Sequence, residues 1–529
     1  MRRQLLSVSR RRALQCGATL LGAGAGLPIA AGQAAGPVSA QPLRLVGPWE
    51  IGGLAPAQTG YLFQRLGVLE TLLETGPEGQ PRPGLAQRWQ VSADGRLWQF
   101  WLAPGRRFHD GTPLLAERVL PSLRLAQRAP ALLARAPIQA MTATGPLTLQ
   151  IHLREPYAGL AALLAHASTA VLSPAGLSAQ GVLQVIGTGP YQLEQLQPPQ
   201  HLSLRAFAQH PGPPPAVLRI RYLAAGRAET RALMAWSGQA DMAFALDPAS
   251  VQRARAGAGA GQGAVQLASV TLPRTIMLKL NAGLPRLADR RVRQALSLAI
   301  DRPGIARALL REPDLAATQL LPPSLSAWHD PSLPPLHQDL ARARALLREA
   351  GWTQEGSGWR DRQGLPVSLT LRTFPDRPEL PLVATALQEQ WRQLGLPVRV
   401  AIGNSGDIPL AHRQGTLEIG LAARHYATAP DPAVNLAQDF GPQGGDWGAM
   451  GWHSPALSQA LAQLLREGAQ GPQAQALRRQ VCTVLQEELP VIPIAWYRLH
   501  VAVGERLRPP PLDPLERRYD LQDLQWSGR

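Results

Sequence analysis

The sequence predicts an α/β protein with more than one domain. Its 529 residues are more than a single hydrophobic core usually organises. Short strand-like runs alternate along the chain with segments of helical periodicity. Apolar residues make up 45% of the chain and charged residues 17%, which is typical of a soluble globular protein.

The first forty residues predict an export signal. Five arginines, the last three at positions 10–12, precede a run of small apolar residues at 18–31. Residues 38–40, Val-Ser-Ala, have the small-x-small pattern of a cleavage site before Gln41. Residues 9–14 resemble a twin-arginine signal, and the apolar run is too short and too rich in glycine to span a bilayer. We therefore expect a protein exported by a cleavable signal to the periplasm or another extracytoplasmic space.

Charge and cysteine content narrow the function further. The formal net charge is +16, but the charge is spread along the chain, without a basic stripe interleaved with aromatic residues. We therefore expect no nucleic-acid partner.

Cys16 lies in the leader, so one thiol remains after cleavage. This residue, Cys482, lies in an apolar helical stretch and is predicted to be a small buried hydrophobe.

Residues 83–119 are the most informative stretch. Strand-like residues 85–91 and 97–102 are joined by Ser-Ala-Asp-Gly, in which Asp94-Gly95 supplies the positive φ of a tight hairpin. Residues 108–113, Phe-His-Asp-Gly-Thr-Pro, form another turn before a helix predicted over 114–125. Because Asp and His readily stabilise such turns, His109 is interpreted as a turn residue and not as a catalytic group.

Four other segments carry distinctive patterns. Residues 186–191, Ile-Gly-Thr-Gly-Pro-Tyr, contain two glycines with wide backbone freedom, but a strand follows at 191–194, so a phosphate-binding loop is not expected. A helix over 228–238 leads to Asp241. Within residues 287–310, Asp289 is expected to cap a helix with Val292, Ala295, Leu296 and Ala299 on its buried face, and another helix covers 339–351. The other predicted elements are strands at 43–46, 147–153, 218–222, 273–280, 366–373, 398–402, 417–422, 491–496 and 499–503, and helices at 61–73, 173–185, 380–394, 454–465 and 471–488.

These patterns closely resemble the signatures of the extracytoplasmic solute-binding proteins of the peptide/nickel class, family 5. The similarity extends over essentially all of residues 41–529. In the first motif, the matching residues are Gly84, Leu85, Ala86, Trp89, Ser92, Asp94, Gly95, Trp98, Phe100, Leu102, Gly105, Phe108, His109, Asp110, Gly111 and Pro113.

The resemblance implies a type II periplasmic-binding-protein-like α/β fold of two lobes, with an additional subdomain in lobe I. Lobe I would comprise residues 41–270, with the subdomain at about 85–185. Lobe II would comprise residues 271–490, and residues 491–529 would return to lobe I. Such lobes close by a hinge around a ligand in the cleft.

No motif of enzymatic chemistry stands out. The sequence has no HExxH, CxxC, GxSxG or Walker loop, so we expect a protein that is not an enzyme and that needs no cofactor. The expected function is that of the solute-binding protein of an ABC importer, a monomer that delivers its ligand to a membrane permease. An exported peptide hydrolase or chaperone on the same scaffold stays open as the alternative, because a fold does not determine a function.

Residues 424–432, Arg-His-Tyr-Ala-Thr-Ala-Pro-Asp-Pro, indicate the ligand class. Where the peptide binders of the family have an acidic residue for the peptide's amino group, this sequence has Thr428. Arg424 and Asp431-Pro432 match the nickel binders, although the histidine of some of these proteins is missing from its place. His453 is a weak metal candidate, and a solvent-facing loop histidine is the more ordinary interpretation.

The predicted ligand is therefore an oligopeptide or a metal chelate with an anionic group. Arg128 and Arg517 are the candidates for holding that group, since guanidinium groups bind carboxylates well. Aromatic residues are candidates for stacking, and the glycine-rich segment 441–451 is interpreted as a lid over the cleft. The predicted ligand-binding residues are Tyr61, Arg128, Arg424, His425, Tyr426, Trp447, Trp452 and Arg517.

Overall fold

A computed structural model describes residues 41–76, 80–128, 131–257, 265–468 and 471–527. The predicted export signal lies outside these residues. The predicted α/β class is confirmed. The strands are β1 (Leu43–Gly47), β2 (Leu73–Thr75), β3 (Pro81–Pro83), β4 (Ala86–Val91), β5 (Leu97–Leu102), β6 (Ile138–Gly145), β7 (Thr148–Leu153), β8 (Leu177–Ser178), β9 (Gly181–Val182), β10 (Tyr191–Gln197), β11 (His201–Ala206), β12 (Arg219–Ala224), β13 (Met242–Phe244), β14 (Val265–Leu280), β15 (Thr353–Glu355), β16 (Gly358–Arg360), β17 (Leu369–Thr373), β18 (Val398–Ile402), β19 (Ile419–His425) and β20 (Val491–Gly504).

Most helices lie between these strands, and several begin at an aspartate or serine cap. Within the described residues, none is both long and apolar enough to cross a membrane. The α-helices are α1 (Pro56–Arg65), α2 (Ala116–Ala126), α3 (Leu160–Leu164), α4 (Ala228–Trp236), α5 (Pro248–Arg255), α6 (Pro285–Ala288), α7 (Arg290–Leu298), α8 (Arg302–Ile305), α9 (Leu340–Glu349), α10 (Glu379–Leu394), α11 (Asp407–Arg413), α12 (Pro432–Phe440), α13 (Pro455–Glu467) and α14 (Gly471–Glu488).

A ten-stranded mixed sheet has two long strands at its centre. Its order is β10-β11-β12-β1-β13-β20-β14-β19-β17-β18. The central strands β14 and β20 pair antiparallel with each other from Val265–Gly504 to Lys279–Val491. β20 also pairs with β13 on one side, and β14 pairs with β19 on the other. Two halves of the sheet are therefore joined through this one pair of strands.

The register of β14 and β20 is irregular at the middle of the pair. A shift separates the pairs Leu272–Tyr497 and Thr275–Trp496, and Pro273 lies within it. Proline has no N–H to donate to the ladder, so a bulge is expected at this position. The bulge lies next to the lobe boundary that the sequence predicts at residue 271.

A separate antiparallel sheet, β4-β5-β7-β6, forms from the hairpin region. β4 and β5 confirm the predicted hairpin, and Gly95 has the positive φ, 70°, that the turn requires. Apolar residues of this sheet pack with α2, α3 and α12 in one core cluster, whereas most buried apolar residues of the ten-stranded sheet lie in other clusters. Cys482 is buried, as predicted, with its thiol 3.0 Å from the carbonyl oxygen of Trp328.

Several predicted elements differ from the structure. The helix expected over 61–73 is instead α1, which ends at Arg65 because Gly67 turns the chain with φ 69°. The helix expected after the Asp289 cap is confirmed as α7, which ends at Leu298. Asp301 then caps a new helix, in which Pro303 has no N–H to continue the first one. The two strands expected at 491–496 and 499–503 are one strand, β20. The segment 173–185, expected to be helical, contains a 3-10 turn and the short strands β8 and β9.

Two of the sequence motifs meet in space. Gly187 N–H donates to Nδ1 of His109 (3.2 Å), so the proton of the neutral ring lies on Nε2, which donates to the Gly189 carbonyl (3.0 Å). Burial lowers the pKa of His109 to about 4. A Cβ on Gly187 would lie 2.1 Å from the Val68 carbonyl oxygen, and one on Gly189 would lie 2.2 Å from that of Gly67. His109 is thus a structural residue, and the two glycines are required by close backbone contact.

Asp241, the last residue of a predicted motif, fastens β1 to the chain after β20. Its buried carboxylate accepts from the backbone N–H of Arg44 (2.8 Å) and from Nη2 of Arg44 (2.9 Å). Arg506 Nη1 approaches the same carboxylate at 3.3 Å. Asp241 therefore neutralises two guanidinium groups from distant parts of the chain.

We expect Asp241→Ala to lower the free energy of unfolding by about 3 kcal/mol, because it removes the acceptor of the Arg44 backbone N–H and the buried carboxylate that pairs with Arg44 and Arg506. Urea denaturation followed by circular dichroism measures this change. The control is Glu349→Ala, which breaks the solvent-exposed pair with Arg342 and should cost less than about 1 kcal/mol. Equal losses in the two variants would contradict the role of Asp241.

Lys279 holds the segment 441–451 against β14. Its Nζ donates to the carbonyl oxygens of Gly445 (2.6 Å) and Gly448 (2.8 Å). Burial lowers its pKa to about 7. A neutral amine still has two N–H groups, enough for both carbonyls. This segment is therefore fastened to the sheet and is not the free lid that the sequence suggested.

The stability of the protein should rise with pH between about pH 7 and pH 10.4, because the unfolded chain keeps the Lys279 proton in this range and the folded chain does not. Lys279→Met removes this contribution. Between pH 7 and pH 9.5, the free energy of unfolding of the wild type should increase by about 2–3 kcal/mol more than that of the variant. Urea denaturation of both proteins at the two pH values measures the difference, and parallel pH profiles would show that Lys279 keeps its charge when folded.

Candidate functional site

The loop that the sequence singled out connects β19 to α12 and borders a cavity. Asp431 caps α12 by accepting from Ala433 N–H (2.9 Å), and Thr428 accepts from Asn435 Nδ2 (2.6 Å). Ala427 and Asp431 line a cavity of about 560 Å³ together with Ala162 and Leu515. The cavity thus brings together the loop, the α3 region and the C-terminal segment, which are far apart in sequence.

Two of the predicted contacts in this loop have structural roles. Arg424 makes a bidentate ion pair with Asp439 (Nε–Oδ2 2.6 Å, Nη2–Oδ1 2.9 Å). These two N–H groups of its guanidinium are therefore already bound to a carboxylate of the protein. Tyr426 is fully buried in the core, and its hydroxyl lies 3.1 Å from Sδ of Met277. Tyr426 is therefore a core residue, which corrects the stacking role predicted for it.

The two arginines predicted to hold an anion lie in different environments. Arg128 follows the end of α2, and its side chain is exposed. Arg517 is half-buried and donates from Nη2 to the Thr75 carbonyl (2.9 Å), and burial lowers its pKa to about 10. His166 has a pKa lowered to about 4, first by burial and then by the charges of Arg424 and Arg517. Arg517 is thus near the loop, whereas the exposed position of Arg128 gives no support to an anchoring role.

The remaining aromatic candidates are only partly accessible. Tyr61 is 37% exposed, and the guanidinium carbon of Arg65 lies 5.2 Å from the centre of its ring. Trp447 packs edge-on against Phe374 at 6.1 Å between ring centres, and Trp452 packs likewise against a phenylalanine, Phe440, at 6.4 Å. Both tryptophans are half-buried. Of these three, Tyr61 has the ring that a ligand could most easily contact.

His453, the weak metal candidate, is exposed, and its Nε2 lies 3.2 Å from the hydroxyl oxygen of Ser458. Across the described parts of the chain, no three His, Cys, Asp or Glu side chains come together as a group that could hold a metal ion. The structure therefore provides no preformed metal centre around His453 within these residues.

The most unusual polar arrangement is a cluster that the sequence did not indicate. Oε2 of Glu516 accepts from Nη2 of Arg274 and lies 3.2 Å from Nη2 of Arg65. Arg65 Nε also donates to the backbone carbonyl of Glu516 (2.8 Å). Although burial opposes ionisation, the charges of Arg274 and Arg65 lower the pKa of Glu516 to about 2. One buried carboxylate therefore holds two guanidinium groups.

A third arginine joins the cluster through Tyr497 on β20. The guanidinium carbons of Arg274 and Arg377 lie 4.9 and 5.2 Å from the centre of its ring, and Arg377 Nη1 donates to its hydroxyl (3.3 Å). His425 lies close enough for the charge of Arg274 to add to the effect of burial, and together they hold its pKa well below the usual value. We call these residues the guanidinium cluster: Arg65, Arg274, Arg377, His425, Tyr497 and Glu516.

Several polar atoms of the guanidinium cluster are buried without a hydrogen-bond partner among the described residues. They are Nη1 of Arg65, Nε and Nη1 of Arg274, Nε2 of His425 and Oε1 of Glu516. Nδ1 of His425 accepts from Ala427 N–H (3.1 Å), so the proton of the neutral ring lies on Nε2. Since most buried polar groups in proteins are hydrogen-bonded, this set requires an explanation.

Of this cluster, sequence reasoning named only His425. Arg274 and Glu516 are 242 residues apart and lie in no shared motif, so nothing in their spacing links them. The loop residue Ala427 and the tail residue Leu515, which line the cavity, are close in sequence to His425 and Glu516. The cavity and the guanidinium cluster therefore share the same two segments.

Comparisons with known proteins agree with this architecture. The family model of the bacterial extracellular solute-binding proteins, family 5 Middle, matches residues 80–447. The nickel-binding periplasmic protein of Escherichia coli (strain K12) is 25% identical over 483 residues, covering 88% of this chain and 91% of that protein. The glutathione-binding protein GsiB of the same organism is 28% identical over 330 residues, 61% of each chain.

Among solved structures, NikA from Brucella suis in complex with Fe(III)-EDTA is similar, with a TM-score of 0.80 and 22% sequence identity, covering 92% of this chain and all of that one. This likeness shows the fold: a type II periplasmic-binding-protein fold with two α/β lobes, as the sequence predicted. With the match of the family model over most of its length, the chain belongs to the bacterial extracellular solute-binding proteins of family 5.

Proposed function

We propose that this chain is the extracytoplasmic solute-binding protein of an ABC importer, which captures a small peptide-like or chelated-metal ligand between its lobes and delivers it to a membrane permease. The observation that carries the proposal is the buried, partly unsatisfied guanidinium cluster on and around the two long central strands. These strands join both halves of the sheet. A bend at their bulge would open and close the halves around a ligand.

The lobe boundaries are part of the proposal: lobe I at 41–270, with a subdomain at about 85–185, lobe II at 271–490, and a return to lobe I at 491–529. The separate sheet β4-β5-β7-β6 supports the subdomain. The change of strand partners along β14 and β20 supports a boundary near residue 271. Export by the signal at 1–40, a monomeric state and a permease partner complete the proposal.

The ligand class rests on the relatives, which are named for binding nickel, glutathione and a metal–EDTA complex. In this chain, Tyr61, His425 and Arg517 have the best-supported places for contacting such a ligand. Trp447 and Trp452 contribute by shaping the loop after α12. A hydrolase on this scaffold is less well supported, because the family consists of binding proteins and His109 uses both ring nitrogens for backbone contacts.

Native mass spectrometry of the exported protein, purified without refolding, should reveal a bound small molecule of defined mass. After its removal, small-angle X-ray scattering should show a larger radius of gyration, and re-addition of the molecule should reverse the change, since a ligand that contacts both lobes favours the closed state. The returned ligand should have an unchanged mass. Turnover of the ligand would indicate the hydrolase instead, and the absence of binding across a library of peptides and metal chelates would contradict the proposal.

A further inference from the structure

The unsatisfied donors of the guanidinium cluster belong to separate elements of the fold. Arg65 lies at the end of α1, Arg274 on β14 and His425 at the end of β19. Each has at least one buried N–H group without an acceptor in the described residues. A buried donor left without a partner is costly, whereas a charge-assisted hydrogen bond to an anionic oxygen is among the strongest that proteins make.

We infer that the guanidinium cluster receives a carboxylate group of the captured solute, with Arg274, Arg65 and His425 as its hydrogen-bond donors. This inference rests on the proposed function and specifies the chemistry of its ligand. Both proposed ligand classes, peptides and organic chelates, carry carboxylates. Nothing in the sequence motifs assigns a ligand to Arg65 or Arg274.

The charge of the cluster favours an anion over a cation. The three guanidinium groups of Arg65, Arg274 and Arg377 face the single carboxylate of Glu516 within the cluster, and the nearby Glu379 adds one more carboxylate. Arg231, which is also near Glu379, adds another positive charge. A carboxylate would reduce this excess, whereas a ligand ammonium group would increase it.

Glu516 positions the two arginines. Its Oε2 is already shared between Arg65 and Arg274. Its backbone has a φ of 53°, in the left-handed region that strains a non-glycine residue. Asp513 stabilises this turn by accepting from Leu515 N–H (2.9 Å) and Arg517 N–H (2.7 Å). The strain is therefore concentrated where the carboxylate must reach both guanidinium groups.

A carboxylate in this place would link closure to binding. Under the proposed lobe boundaries, Arg65 and Glu516 belong to lobe I, His425 and Arg377 belong to lobe II, and Arg274 lies on the connecting strand β14. The donors are brought together when the lobes are close. An anion that satisfies donors from both lobes therefore binds the closed form better than the open form.

Matched probes with and without the carboxylate test this inference by isothermal titration calorimetry on the exported, ligand-free protein. The peptide probes are tri-alanine, N-acetyl-tri-alanine and tri-alanine amide, and the chelate probes are nickel(II) bis-L-histidine and nickel(II) bis-L-histidinamide. For the class that binds, loss of the carboxylate should raise Kd by about tenfold or more. N-acetylation, which replaces the ammonium group by a neutral amide and leaves the carboxylate unchanged, should change Kd by less than about threefold.

Arg274→Gln should raise Kd for the acid form by about tenfold or more and leave Kd for the amide form nearly unchanged, so that the preference for the acid disappears. The matched control is Arg392→Gln on the exposed face of α10, where Arg392 pairs with Glu389; it should keep the full preference. If Arg274→Gln fails to fold by circular dichroism, His425→Leu, which removes one donor without removing a charge, should show a smaller loss of the same preference.

The outcomes separate the two proposals. If a probe and its amide bind the wild type equally well, solute capture stands and the carboxylate inference is overturned. If Arg274→Gln and Arg392→Gln retain the same preference for the acid, the preference arises elsewhere and the inference is likewise overturned. If neither probe class binds and no small molecule co-purifies, the proposed function fails together with the inference.

Discussion

The pairing of β14 with β20 is the constraint on which the rest of the structure depends. These strands have 16 and 14 residues, two to three times the length of most others in the sheet. Because they are hydrogen-bonded to each other along almost their full length, the strands on either side are fixed relative to one another only through them. The proline-containing bulge at 272–275 concentrates irregular geometry at the middle of this connection, where bending costs the fewest ladder hydrogen bonds.

The same strands also explain where the charges lie. Arg274 projects from β14 beside the bulge, and Tyr497 projects from β20 where it pairs with Leu272 at the start of the bulge. The connection between the two halves of the sheet therefore carries the guanidinium cluster. Burying Arg65 and Arg274, with Arg377 half-buried beside them, is costly unless opposite charges and hydrogen bonds compensate. Glu516 compensates in part, because it binds two of them. The buried N–H donors that remain without an acceptor would favour the binding of an anionic group at this place.

The motifs recognised in the sequence have a different role, which is to join backbone segments. His109 connects the Phe-His-Asp-Gly turn to the Ile-Gly-Thr-Gly-Pro-Tyr segment through both ring nitrogens. Gly187 and Gly189 allow that segment to approach the backbone after α1, and Tyr191 donates to carbonyls of Val217 and Leu521. Residues with strong sequence patterns thus build much of the scaffold, whereas the guanidinium cluster, apart from His425, consists of residues that the sequence analysis did not single out.

The sequence by itself determined the α/β class, the hairpin of β4 and β5, most strands of the large sheet, the burial of Cys482 and the structural role of His109. These features follow from local periodicity, turn chemistry and motif spacing, which act over a few residues. Tertiary structure alone decided that Tyr426 packs in the core, that Arg424 is occupied by Asp439, and that Lys279 fastens the segment 441–451. It also decided that Arg65, Arg274 and Glu516 meet, because a contact between residues hundreds of positions apart depends on the path of the whole chain and leaves no trace in local sequence.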